Sequence, residues 1–200
     1  NKLKDLKKEL ENSSNVKIQY FAADISNVDE INKLILEVEK TFSVDILVNC
    51  AGIFPVKMLH EYTLEDFENS FNINVKAPFL LTQKFSQDMM KSKWGRIINI
   101  ASSSAYKGFK NTSIYCSSKH ALLGLSRSVH AELKEHNIRT FCISPGPIKT
   151  SMGKEIIKNE DPNADYESFM NPSDIAKFTI HVISYNNEMI SEEVRLSRIN

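Results

Sequence analysis

Apolar positions along the chain recur with two periods, one typical of strands and one typical of helices. Short apolar runs, either alternating or continuous, predict strands over residues 16–24, 45–52, 96–101, 138–144 and 193–199. Apolar residues at helical intervals on a charged background predict helices over residues 2–12, 28–42, 64–91, 113–135 and 172–184. Pro78 interrupts the third of these helices, so we expect a kink just after residues 72–75.

Strands that alternate with helices favour an α/β fold built on a doubly wound parallel sheet. The run 96–101 is almost uninterrupted in its apolar character, as expected for a strand that is buried on both faces of such a sheet. The chain contains no repeat and no low-complexity segment. We therefore predict one domain over residues 1–200.

Polar residues with chemical potential follow the strand 96–101. Ser102, Ser103 and Ser104 stand at its carboxyl end, where open α/β sheets bind ligands, although serines there also suit a plain turn. Tyr115 and Lys119 share one face of the next helix. A phenol with a pKa of about 10 becomes a useful acid or base near neutral pH when a cation stabilises its phenolate, and Lys119 is spaced to do so.

This stretch resembles the short-chain dehydrogenase/reductase family, in which a Ser, a Tyr-x-x-x-Lys pair and an upstream Asn form the catalytic set. The resemblance implies that Asn74, Ser102, Tyr115 and Lys119 are catalytic, with Ser102 thirteen residues before the tyrosine. It also implies a Rossmann-type sheet. Without the family, Asn74 is equally well explained as a polar residue whose neighbouring backbone satisfies it.

The resemblance further implies a nicotinamide cofactor, NADP or NAD. Its binding residues would come from four segments that follow successive strands or lie in the catalytic helix: Asp24 and Ile25; Asn49, Cys50, Ala51 and Gly52; Tyr115 and Lys119; Pro145, Gly146, Ile148 and Thr150. Read without the family, Asp24 could instead cap the helix that begins near Asn27, and Pro145-Gly146-Pro147 is first a rigid turn. Cys50 departs from the second Asn of the family's N-N-A-G.

The family's first strand, Gly-rich phosphate-binding turn, first helix and second strand would all precede Asn1. The chain opens with Asn and directly in a helical pattern, so we expect its natural beginning to lie outside this sequence. The residue that selects NAD or NADP follows the family's second strand, and the sequence therefore predicts no choice between them.

Composition narrows the function further. Twenty-five basic and twenty-five acidic residues cancel, so the sequence predicts neither nucleic acid nor an anionic membrane as a main partner. No apolar stretch approaches the ~18 residues of a membrane span, and no signal peptide opens the chain, so we predict a cytoplasmic protein. The histidines and the three cysteines lack metal-ligand spacing, so no metal site is predicted, and the cysteines are read as small buried side chains.

The function predicted from the resemblance is hydride transfer between nicotinamide and a ketone or secondary alcohol, with a 3-oxoacyl-ACP reductase as one candidate. The alternative is a noncatalytic or truncated Rossmann-fold protein that acts through subunit interaction. The polar segment 151–170 is interpreted as a mobile substrate lid or a disordered loop. Apolar residues on the helices 64–91 and 113–135 predict a homodimer or homotetramer: Phe79, Leu80, Leu81, Met89, Met90, Leu122, Leu123, Leu125 and Val129.

Overall fold

A computed structural model describes residues 2–159, 163–185 and 191–198, with side chains described for all of these except 156–159. The helices are α1 Lys2–Ser13, α2 Val28–Glu39, α3 Leu64–Phe71, α4 Ala77–Ser92, α5 Ser113–Leu133, α6 Ser151–Asn159 and α7 Pro172–Ser184. The strands are β1 Ile46–Asn49, β2 Gly95–Ile100, β3 Ile138–Pro145 and β4 Glu193–Leu196. The predicted alternation of strands and helices is confirmed from α2 onward.

The four strands form one parallel sheet in the order β1-β2-β3-β4. Ile98 of β2 lies between Val48 of β1 and Phe141 of β3. Both β2 and β3 are buried on both faces, which explains their continuous apolar character. Because the strands are parallel, their carboxyl ends all lie at one edge of the sheet.

Helices cover both faces, which confirms the doubly wound fold. On one face Ile97 and Ile138 pack with core residues of α2, α4 and α5, namely Ile31, Ile35, Phe85, Met89 and Leu133. On the other face Ile98, Phe141 and Ile143 pack with Val182 of α7. Successive strand residues point to opposite faces, so one strand contributes to both clusters.

The strand predicted over residues 16–24 is wrong. Residues 17–24 form no strand, and Val16 is 63% exposed. A strand is defined by a neighbour that takes its backbone hydrogen bonds, and alternating residues alone do not supply one. Within the described residues, β1 is paired with β2 only.

The segment 151–170 is also more regular than predicted. Residues 151–159 form α6, and the Thr150 hydroxyl accepts the Gly153 N–H at 3.1 Å at its start. A side-chain acceptor at the start of a helix satisfies one of its free backbone N–H groups. The polar composition of the segment had not indicated this helix. Residues 160–162 of this segment lie outside the described residues, and so does Ile199, the last residue of the strand predicted over 193–199.

The predicted kink is confirmed as a π-turn at Asn72–Lys76, between α3 and α4. There the Ala77 N–H donates to the Asn72 carbonyl, five residues back. Pro78 follows and brings no backbone N–H of its own, so the chain cannot continue with a plain α-helical bond at that position. The capping box of Thr63 and Asp66 at the start of α3 is present as well.

Several residues assigned to a subunit interface belong to the core instead. Met89, Leu122 and Leu123 are almost completely buried within this chain. Leu80, Leu81, Leu125, Met90 and Val129 are partly buried against the same clusters. Phe79 is 43% exposed and remains available at the surface. Among the described helices, none combines the length and the apolar character needed to cross a bilayer.

Candidate active site

Lys119 is the centre of the candidate site. Its side chain lies inside the protein, 5% exposed, and Nζ donates to the Ile100 carbonyl at the end of β2 at 3.1 Å. Burial lowers the pKa of Lys119 to about 8, and the nearby Cys142 and Cys50 thiols oppose that shift. The ammonium lies 5.7 Å from the centre of the Tyr115 ring.

Tyr115 lies one turn before Lys119 on α5 and is 6% exposed. The Phe54 ring meets it edge to face, with centroids 4.6 Å apart and an angle of 84° between planes. Such a contact holds an aromatic ring in one orientation better than an aliphatic neighbour does. The i, i+4 spacing thus brings the phenol and the ammonium together inside the protein.

Asn74 lies in the π-turn and is completely buried. Its Oδ1 accepts the Ile53 N–H at 3.0 Å, and its Nδ2 donates to the Ile53 carbonyl at 3.1 Å and to Ser118 Oγ at 3.0 Å. Distant backbone at Ile53, and not the neighbouring backbone of its own helix, therefore satisfies this amide. The π-turn aims Asn74 at the loop after β1 and at α5.

Gly52 makes room for this arrangement. A Cβ at Gly52 would lie 3.1 Å from Asn74 Oδ1 and 3.6 Å from Lys119 Nζ. The glycine thus allows a close approach to Asn74, and a positive φ is not its role, since no described glycine has one. The neighbouring Ala51 is exposed, and so is the Cys50 thiol, against the prediction that all three cysteines are buried.

Asn49, predicted to bind the cofactor, has its side chain turned into the protein. Its Nδ2 donates to Asn99 Oδ1 at 2.8 Å and lies 3.5 Å from Thr82 Oγ1, and Asn99 Nδ2 donates to Ser126 Oγ at 2.8 Å. The chain of buried polar groups ties β1 and β2 to α4 and α5. Asn99 was missed by sequence reasoning, although a lone Asn inside an apolar strand was a usable signal.

Ser102 stands two residues beyond Ile100. It caps the short turn Ser103–Ala105, where Oγ accepts the Ser104 N–H at 3.1 Å and lies 3.2 Å from Ser104 Oγ. The turn packs on α5 through Ala105 and Leu122. Both interpretations of this serine, turn former and site residue, fit its position.

Asp24 and Ile25 lie in the loop before α2. Asp24 Oδ1 accepts the Ser26 N–H at 2.9 Å and the Ser26 hydroxyl at 2.7 Å, and these bonds lower the pKa of Asp24. Asn27, not Asp24, caps α2, so the capping alternative for Asp24 is wrong. Ile25 packs partly buried against the α2 side of the core.

The segment from Pro145 to Thr150 forms the turn after β3. The Gly146 N–H donates to the Leu196 carbonyl at 2.9 Å, and Ile148 forms an isolated bridge with Met170. Thr150 Oγ1 holds the start of α6. The structure thus brings Gly52, Asn74, Tyr115 and Lys119 together, whereas the described contacts of Asp24 and Thr150 are local. No cluster of potential metal ligands occurs among the described residues.

Several known proteins are similar to this chain in sequence and in structure. The chain is 32% identical over 197 residues to the 3-oxoacyl-[acyl-carrier-protein] reductase FabG of Rickettsia bellii (strain RML369-C), which covers 95% of this chain and 78% of that protein. It is 31% identical over 163 residues to dehydrogenase/reductase SDR family member 6 of Rattus norvegicus, covering 80% of this chain. The chain spans 65% of the length of the rat protein and 52% of another curated relative.

A solved structure of 4-hydroxyisoleucine dehydrogenase complexed with NADH is similar over 87% of this chain and 75% of that chain, with 30% identity and a TM-score of 0.79. The family model described as short chain dehydrogenase matches residues 1–161. That match covers most of the chain and includes Gly52, Asn74, Ser102, Tyr115 and Lys119. The chain belongs to the short-chain dehydrogenase/reductase family.

Proposed function

We propose that this chain carries the catalytic centre of an NAD(P)-dependent oxidoreductase that interconverts a ketone and a secondary alcohol. The observation that carries the proposal is the buried Lys119 ammonium, which lies beside Tyr115 and close to Gly52. A buried lysine with a lowered pKa at a sheet edge is costly to stability and typical of functional sites.

The side chains suit a proton transfer to a substrate oxygen. In the direction of reduction, Tyr115 donates its hydroxyl proton to the carbonyl oxygen of the substrate, and Ser102 Oγ donates a hydrogen bond to that oxygen. The Lys119 ammonium stabilises the phenolate that Tyr115 becomes. Asn74 holds the loop at Ile53 and the helix at Ser118 in register, so that Tyr115 and Lys119 keep their positions.

The residues present also fit a nicotinamide dinucleotide, which when bound supplies the hydride that adds to the carbonyl carbon. Gly52 leaves open the space that a Cβ would fill beside Lys119, and an ammonium has three N–H groups, of which Ile100 accepts one. We propose that Lys119 holds a ribose hydroxyl there. The other residues that we propose to contact the dinucleotide are Asp24, Ile25, Asn49, Cys50, Ala51, Pro145, Gly146, Ile148 and Thr150.

The substrate class that we propose is a 3-oxoacyl thioester on acyl carrier protein. The support is the similarity to the Rickettsia bellii FabG, which extends over 95% of this chain. We propose either NADP or NAD as the cofactor, and the similarity to an NADH complex supports the nicotinamide dinucleotide in general.

We also propose a homodimer or homotetramer. Phe79 is the support, because this aromatic residue stays 43% exposed on α4 after the core has formed. Light scattering should give a mass of at least two chains, and a stable monomer would contradict the proposal.

Replacement of Tyr115 by Phe in the complete protein tests the reaction. We expect a loss of about 10²- to 10⁴-fold in kcat for a ketone substrate, because the proton donor is gone while the ring contact with Phe54 remains. The measurement is NAD(P)H absorbance against a panel of ketones that includes a 3-oxoacyl thioester. The control is Tyr20→Phe, because Tyr20 is exposed and distant in sequence from Tyr115. Unchanged turnover by Tyr115→Phe would overturn the proposal.

A further inference from the structure

A hydrogen-bonded junction links two loops beside Tyr115. The Tyr62 hydroxyl lies 2.8 Å from the Asn111 carbonyl and 3.0 Å from the Pro55 carbonyl. The Lys57 N–H donates to the same Asn111 carbonyl at 3.0 Å and lies 3.3 Å from the Tyr62 hydroxyl. We call these four residues, Pro55, Lys57, Tyr62 and Asn111, the Tyr62 junction.

The Tyr62 hydroxyl has one proton, and the geometry indicates which carbonyl receives it. The Asn111 carbonyl is the nearer acceptor, so the bond between the loops is the main one. Burial raises the pKa of Tyr62, with the Lys57 N–H acting in the opposite direction. The phenol is therefore protonated at neutral pH and can donate its proton there.

Both sides of the junction lead directly to Tyr115. Pro55 follows Phe54, whose ring meets the Tyr115 ring edge to face. Asn111 precedes Thr112, which is completely buried and whose carbonyl accepts the Cys116 N–H in the first turn of α5. Tyr115 is thus held from one side by the loop after β1 and from the other by the start of its own helix.

Asn111 adopts a left-handed conformation, with φ at 61°. A non-glycine residue in this region costs about 1 kcal/mol, and Asn tolerates it better than most residues. This turn aims the Asn111 carbonyl at Tyr62 and Lys57. A strained residue that presents its carbonyl to two donors from another loop suits a positioning role.

The Tyr62 junction is also connected, through Lys57, to the segment that carries Asn74. Lys57 Nζ lies 2.8 and 2.7 Å from the two carboxylate oxygens of Asp66, and this bond is the main reason why the pKa of Asp66 falls to about 2. Asp66 closes the capping box at the start of α3, which runs into the π-turn that holds Asn74.

We infer that Tyr62 is a positioning residue for Tyr115, because its hydroxyl fastens the loop carrying Phe54 to the start of α5. The part of the inference that concerns turnover rests on the proposed function. The part that concerns the coupling of the two loops stands on the hydrogen bonds alone, so each part has its own experiment.

Hydrogen exchange in the Tyr62→Phe variant tests the coupling without any activity. We expect the peptides that cover residues 53–63 and 107–116 to exchange faster together, by about tenfold, since the loss of one partly buried hydrogen bond corresponds to roughly that factor in local opening. Tyr20→Phe should change neither peptide. Faster exchange in residues 53–63 alone would overturn the inference, because Tyr62 would then merely close its own loop onto Pro55.

Steady-state kinetics tests the positioning. In Tyr62→Phe we expect kcat to fall about tenfold and the KM for the dinucleotide to change less than twofold, since a small displacement of an acid disturbs the chemical step and not cofactor binding. The double variant with Phe54→Leu should be no slower than Phe54→Leu alone, because both changes interrupt one path. Losses that multiply, or an unchanged kcat in Tyr62→Phe, would overturn the role. A wild-type protein without turnover would refute the proposed function instead, and hydrogen exchange would still decide the coupling.

Discussion

The centre around Lys119 and the outer positions at Asp24 and Thr150 are held in different ways. At the centre, Asn74 bonds to Ile53 across 21 positions of sequence and to Ser118 across 44, and Lys119 bonds to Ile100 across 19. Asp24 accepts its side-chain bonds from Ser26, two residues away, and Thr150 accepts from Gly153, three residues away. The centre is built by the tertiary fold, and the outer positions are shaped by local turns.

The difference follows from burial. A polar group inside the protein must find partners, and the completely buried Asn74 finds its main ones at Ile53 and Ser118, on other elements of the fold. An exposed carboxylate such as Asp24 is satisfied by its own turn and by water. The comparison teaches that contacts between distant segments fix the positions of Asn74 and Lys119, whereas contacts within one turn fix those of Asp24 and Thr150.

Replacement of Lys119 by Met is expected to have the largest effect, and in opposite directions on activity and stability. Loss of the cation should lower kcat by at least about 10²-fold, as for other groups that stabilise developing charge. A pKa lowered from 10.5 to about 8 corresponds to a cost of about 3 kcal/mol for keeping the charged form buried. The variant should therefore unfold at a higher denaturant concentration at pH 7.

The pH dependence of this gain in stability tests whether the lowered pKa of Lys119 is its cause. Between pH 8 and pH 10.5 the unfolded wild type binds the Lys119 proton and the folded protein does not, so wild-type stability rises with pH relative to the variant. The advantage of Lys119→Met should be complete below pH 8 and disappear by about pH 10.5. Lys33→Met, at an exposed position of α2, should show no such trend. A gain that is constant with pH would contradict the assignment.

Asn74→Ala should have the next largest effect. The change leaves the Ile53 N–H and carbonyl without their buried partner, and a loss of about 1–3 kcal/mol in the free energy of unfolding follows. The kcat should fall as well, because the loop and α5 lose their common contact. Urea unfolding measures the first quantity, and Asn32→Ala on the exposed side of α2 is the control. Equal stability of the two variants would show that the centre is not held through Asn74.

Asp24→Asn should have the smallest effect. The substitution removes the charge but keeps an oxygen that can accept from Ser26, so thermal unfolding should be unchanged. If Asp24 contacts the dinucleotide, the KM of the variant for the dinucleotide should rise several-fold while kcat stays the same. An unfolding transition as strongly shifted as that of Asn74→Ala would remove the distinction between the two regions.

Local sequence patterns were sufficient to predict features that depend on residue types at fixed spacing. The capping box at Thr63 and Asp66, the kink before Pro78 and the buried strands β2 and β3 were all predicted from residue types at fixed spacing. The strand over residues 16–24 failed because pairing is a property of two segments. The helix α6 was missed because its cap, Thr150, lies in the preceding turn.

The sequence by itself determined the parallel α/β fold, the family, and the presence of a serine, a tyrosine and a lysine at a spacing that suits proton transfer. Only the tertiary structure decided that Asn74 bonds to the backbone of Ile53, that Gly52 lies close to Asn74, and that the Asn49 side chain turns inward to Asn99. The physical reason is that spacing along a helix specifies which side chains share a face. Partners from distant segments depend on how those faces pack, and a buried polar group takes whichever partner the packing places against it.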